Sequence, residues 1–132
     1  MIRKRATALI ICGLLLGSCN SNLAEKENRC SEYASDIDDR IKFEVETVYP
    51  TSDSSDHWWF MFRKELFYSN KIDTCVYVVK KELYDGPVLV LQDYIVRDYY
   101  KEADLKSFTI VEQRLSTGNL GDFEDYILKL RK

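Results

Sequence analysis

TCVYVVKKELYDGPVLVLQDYIV, residues 74–96, reads as two β-strands folded back on each other. The first run places Cys75, Tyr77 and Val79 on one face by simple alternation. Asp85-Gly86-Pro87 then supplies the residues a tight turn requires: a side chain that bonds its own backbone, a residue free to take positive φ, and one that fixes φ. The second run, VLVLQDYIV, follows at once, so the pair is an antiparallel hairpin.

Upstream, HWWFMFRKELFY (57–68) is another strand, followed by the turn SNKID (69–73). Alternation puts Trp58, Phe60, Phe62, Leu66 and Tyr68 on one face and Trp59, Met61 and Phe67 on the other. With both faces apolar in its first half, it reads as a central strand. Farther upstream, Ile41, Phe43 and Val45 alternate with Lys42, Glu44 and Glu46, the pattern of a half-buried strand. Pro50 and TSDSSD (51–56) form a loop after it. Cys30, Tyr33, Ala34, Ile37 and Ile41 mark one helical face. Asp36, Asp38 and Asp39 oppose the helix dipole if they close that helix, which predicts a brief one.

Downstream, RDYYKEADLKSF (97–108) is compatible with a strand end, a loop or a helical turn. FTIVEQRL (108–115) is a candidate fifth strand, and STGNLG (116–121) a loop. Asp122 is an N-cap candidate, with Phe123, Tyr126, Ile127 and Leu130 on one helical face and Lys129, Arg131 and Lys132 suiting the C-terminal end. The expected fold is therefore α+β: a short N-terminal helix, an antiparallel sheet of four or five strands, and a C-terminal helix packed on the sheet.

The chain opens differently. Arg3, Lys4 and Arg5 precede twelve uncharged residues, Ala6 to Gly17. As a helix these span about 18 Å, short of the roughly 30 Å of a bilayer's hydrocarbon core, so the pattern is that of an export signal. Leu16-Gly17-Ser18-Cys19 resembles the lipobox of bacterial lipoproteins. The resemblance implies a diacylglycerol on the Cys19 thiol, cleavage before that residue, and attachment to the membrane through the lipid. Two or more chains give stable anchoring. Asn20 rather than an aspartate after the cysteine favours the outer membrane of a Gram-negative host. The resulting organisation is a signal peptide at 1–18, a tether at 19–28 and one domain at 29–132. A shorter likeness, LFYSNKIDTCVYVV (66–79), resembles a stretch recurring in small uncharacterised bacterial exported proteins and implies no activity.

Once Cys12 leaves with the signal and Cys19 takes lipid, Cys30 and Cys75 remain. The compartment implied by the export signal favours a disulfide between them. A metal site lacks partners, because His57 is the sole histidine and no CxxC is present. A nucleophilic thiol beside His57 would leave an odd cysteine.

The whole chain carries 19 basic and 22 acidic side chains. Without Arg3, Lys4 and Arg5 the balance is 16 to 22, a formal −6, which argues against nucleic-acid binding. Catalytic and cofactor patterns are missing: there is no Gly-rich phosphate loop, HExxH, GxSxG or EF-hand. DSSDHWW (53–59) gathers Asp53, Ser54, Ser55, Asp56 and His57, but neighbours on one loop rarely converge as a triad must. Asp93, Asp98, Glu102 and Asp104 offer carboxylates of unknown separation. Aromatic residues make up 13% of the chain, and Tyr and Trp are favoured at contact surfaces. Trp58 and Trp59, like Tyr99 and Tyr100, are neighbours expected to point to opposite faces, so an exposed member of either pair is the candidate contact.

These observations predict a lipid-anchored envelope module that binds an envelope protein or a wall polymer, without cofactor or metal. The alternatives are a small hydrolase or metal-dependent enzyme centred on His57, or a passive structural lipoprotein.

Overall fold

The computed structural model of the chain describes residues 22–48, 56–111 and 120–132. The lipobox with Cys19, residues 53–55, and residues 112–119 lie outside them. Helix α1 covers 22–32 and α2 is Ala34–Val48. Four strands follow: β1 His57–Ser69, β2 Thr74–Asp85, β3 Val88–Asp98 and β4 Ala103–Val111. Helix α3, Leu120–Arg131, closes the order. The strands form one antiparallel meander, β1-β2-β3-β4.

This is the expected α+β architecture, with one strand exchanged for another. Residues 41–48 are not a strand but the second half of α2. Ile41 and Val45 fit both periods, since they are two apart from Phe43 and four apart from each other. Ile37, four residues earlier and fully buried, decides for the helix, and Phe43 is left 68% exposed. Nor is the N-terminal helical segment brief. A break at Tyr33 starts a new helix, so Asp36 sits in the first turn of α2, where a carboxylate favours the dipole instead of opposing it. Residues 22–28, expected as tether, are helical. The missing strand is made good by β4, which begins at Ala103, five residues before the candidate fifth strand at Phe108.

Among the described residues β1 pairs on one side only, with β2, and so lies at an edge of the sheet rather than in its centre. A register shift between Arg63 and Glu65 also exchanges its faces. Phe67 joins the side of Trp58, Phe60 and Phe62, while Leu66 and Tyr68 join that of Trp59 and Met61.

The sheet is covered on both sides. Under α3, Phe123, Ile127 and Leu130 pack on Phe67, Val76, Val78, Tyr94, Val96 and Phe108. Asp122 lies inside α3 rather than at its cap. On the other face, Ile37 and Ile41 of α2 pack on Met61, Tyr77 and Val79. Cys75, Tyr77 and Val79 share that face, as alternation predicts, and Cys30 of α1 stands at disulfide distance from Cys75, with Cα atoms 5.5 Å apart. Both sulfurs are buried beneath Tyr68, Tyr33 and Tyr99.

Buried polar groups are tied to the frame. Ser69 Oγ donates to the Leu130 carbonyl (2.5 Å), satisfying an acceptor in the last turn of α3. Asp98 accepts from Thr74 Oγ1 (2.8 Å) and from the Lys101 amide (3.1 Å), fixing the β3–β4 turn.

Candidate partner-binding face

β1 and β2 extend beyond the residues that α3 covers. Trp58, Phe60 and Phe62 on β1 and Tyr84 on β2 share the α3 side of the sheet, and none belongs to either buried cluster. The register makes them neighbours, with Trp58 opposite Tyr84 and Phe60 opposite Glu82. The Trp58 and Tyr84 rings stack at 4.2 Å, with 6° between their planes, and Phe60 and Phe62 lie 5.4 Å apart. Trp58 is 41% and Phe60 50% exposed.

The patch is held stiffly. The Trp58 indole N–H donates to the Gly86 carbonyl (3.1 Å), and the Gly86 amide donates back to Asp56 (2.9 Å). The Tyr84 hydroxyl donates to Glu82 (2.6 Å), which also pairs with Lys80 (2.8 Å). Burial works to raise the Glu82 pKa, but the hydrogen bonds from Lys80 and Tyr84 outweigh it and hold the carboxyl below its ordinary value. Rigid aromatic rings with one polar handle lose little entropy on binding.

On the opposite face, α2 and the outer edge of β1 enclose a cleft of about 400 Å³. Its lining includes Ile41, Val45, Trp59 and Met61, with Asp38 and Arg63 at the rim, the last two joined by two hydrogen bonds of 2.9 and 3.2 Å. Lys81 stands 4.0 Å from the Trp59 ring centroid. Trp58 and Trp59 therefore serve opposite faces, as expected of strand neighbours, and each is within reach of a groove or a patch.

Tyr99 and Tyr100 do not divide in that way, because they lie on the β3–β4 turn and not on a strand. Both gather on Tyr33: Tyr99 stacks at 4.3 Å and Tyr100 meets it edge-on at 5.9 Å. Tyr100 is 54% exposed and its hydroxyl lies 3.7 Å from Cys75 Sγ. Tyr99 donates to Asp36 (2.8 Å). This pair caps the Cys30–Cys75 link.

His57 opens β1 with Nδ1 3.5 Å from Asp85, and both side chains are more than half exposed. The pair stands open to solvent where β1 begins and β2 ends. Among the described residues no three His, Cys, Asp or Glu side chains are grouped to hold a metal ion. The four carboxylates of 93–104 are each engaged elsewhere: Asp93 with Thr109, Asp98 as above, Glu102 with Arg40 and Asp104 with Arg97. Sequence reasoning missed Phe60 and Tyr84 as surface residues. Trp58's neighbours were legible by alternation, but the edge position that exposes them follows only from strand order.

No described helix is long and apolar enough to cross a membrane. In comparison with known proteins, no family model, curated protein or solved structure matches the chain.

Proposed function

We propose that the protein is a lipid-anchored interaction module of the cell envelope, tethered through Cys19, that engages its partner with the aromatic end of the sheet. The observation that carries this reading is the row Trp58, Phe60, Phe62 and Tyr84, preorganised by stacking, with Trp58 and Phe60 left open to solvent. Aromatic anchors of this kind dominate binding energy at interfaces. The motif Leu16-Gly17-Ser18-Cys19 supports the tether; in this reading the domain stands at a membrane surface, the outer membrane in a Gram-negative host.

The test is crosslinking in intact cells followed by purification of the full chain. A stoichiometric partner is expected with the wild-type chain and lost in both Cys19→Ala and Trp58→Ala/Phe60→Ala. Capture that is unchanged by both substitutions contradicts the proposal.

A further inference from the structure

Edge strands with free backbone groups invite pairing, and proteins guard them with charges, bulges or short length. The two edges that the described strands form differ in that respect. β4 carries Asp104 and Lys106 along nine residues, both exposed. β1 is thirteen residues long, and its guards, Arg63, Lys64, Glu65 and the register shift, all lie in its second half. The first half, HWWFMF (57–62), has no acidic residue, lysine, arginine, proline or glycine.

From this unguarded edge we infer that the first partner of the aromatic end is a second copy of the same chain, joined β1 to β1 as an antiparallel ladder centred on Phe60. The inference rests on the reading of that end as a contact surface and names its occupant.

Three features favour a copy over an unrelated strand. The sheet is antiparallel throughout, so a two-fold axis normal to it at β1 continues the same pattern into an eight-stranded sheet, and a two-fold contact needs only one self-complementary patch. With Phe60 opposite itself, every near pair is apolar: Trp58 meets Phe62 of the second copy on the α3 side, and Trp59 meets Met61 on the α2 side. Such cross-strand pairs stabilise a ladder. Beyond them, His57 comes opposite Arg63 and Asp56 opposite Lys64 of the second copy, and symmetry repeats both pairs, the second an acid–base pair, at the other end. Shifting the centre to Trp59 sets Asp56 against Phe62, and shifting it to Met61 sets Trp58 against Lys64. Of these three registers, only the one at Phe60 sets no apolar residue against a charged one and pairs an acid with a base. The cleft between α2 and β1 then faces Trp59 and Met61 of the second copy.

Directly opposed residues of an antiparallel pair have Cα atoms about 4.5–5.5 Å apart, within disulfide range. The full chain carrying Phe60→Cys, mildly oxidised in native membranes, is expected to form a disulfide-linked dimer. Trp58→Cys alone forms none, whereas Trp58→Cys and Phe62→Cys chains expressed together do. Val88→Cys, at a site 60% exposed at the start of β3, measures random collision. In detergent solution the wild-type chain is expected to sediment as a dimer, and Phe60→Lys as a monomer with an unchanged circular dichroism spectrum. Equal crosslinking at 60 and 88, or a monomeric wild-type chain, overturns the self-pairing. Capture of a different protein from position 60 with no dimer also overturns it while leaving the interaction module standing.

Discussion

Arg97 of β3 grips Glu44 of α2 through two hydrogen bonds, 2.7 Å from Nη1 and 3.1 Å from Nη2, while its Nε reaches Asp104 of β4 at 2.8 Å. The guanidinium is only 16% exposed and Glu44 26%, so this one residue couples the long helix to two strands across a cleft. Burial works to lower the Arg97 pKa, but the carboxylates of Glu44 and Asp104 reverse that and raise it. Truncation to Arg97→Met leaves two acids facing each other, and a loss of about 3 kcal/mol is expected in urea unfolding. Removing Glu44 as well, in Arg97→Met/Glu44→Leu, should recover most of it. A cost below about 0.5 kcal/mol for the single change would show the pair to be no more than a surface contact.

The Cys30–Cys75 link closes a segment of 45 residues. In the chain-entropy account a loop of this size contributes about 4 kcal/mol. Cys30→Ala/Cys75→Ala is therefore expected to unfold at lower urea with the strands intact in the folded state. Wild type in reductant should move the same way. Identical midpoints with and without reductant would mean that the tyrosines packed over Cys30 and Cys75 hold α1 without the bond.

Glu82 gives the aromatic end a pH dependence. Its folded pKa lies below the unfolded value, about 4.3, because Lys80 and Tyr84 hold the charged form against burial. Stability from this group is present in full above the unfolded value and is lost as pH falls through the folded one. An NMR titration of the Glu82 carboxyl should give a midpoint below that of an exposed glutamate. Glu82→Gln should flatten the acid limb of the stability profile, and a midpoint above the ordinary value would refute the assignment.

Two turn positions take opposite substitutions. Gly86 has φ +55° with open space where a Cβ would stand, so Gly86→Ala should cost about 1 kcal/mol from backbone strain alone. Glu102 occupies the same region at φ 52°, and its bond to Arg40 is exposed. Glu102→Gly is expected to be neutral or to stabilise by up to about 1 kcal/mol. Thermal unfolding of both variants decides, and equal signs would contradict the backbone argument.

The hairpin at 74–96, the C-terminal helix and the Cys30–Cys75 proximity were legible because each rests on local chemistry: alternation, a Gly-Pro turn, a 3.6-residue period, a count of thiols. Two misreadings share another cause. Ile41 and Val45 satisfy the periods of strand and helix alike, and only the distant packing of Ile37 against Tyr77 and Val79 separates them. The faces of Leu66 and Phe67 were exchanged by a one-residue shift at Arg63/Glu65 that alternation cannot register. The contact surface was half legible. Trp58 and Trp59 drew notice as aromatic neighbours, yet Phe60 and Tyr84 became surface residues only through the order of strands, which places β1 at an edge.

The most direct test of the account is a photo-crosslinking amino acid placed in turn at Trp58, Phe60, Phe43 and Leu128 of the full chain in intact cells. All four side chains are exposed large hydrophobics, so apolar character alone does not separate them. The account predicts a discrete adduct from 58 and 60, abolished by Cys19→Ala, and none from 43 on α2 or 128 on α3. Adducts from 43 or 128 only, or the same diffuse products from all four, would contradict the aromatic end of the sheet as the binding face.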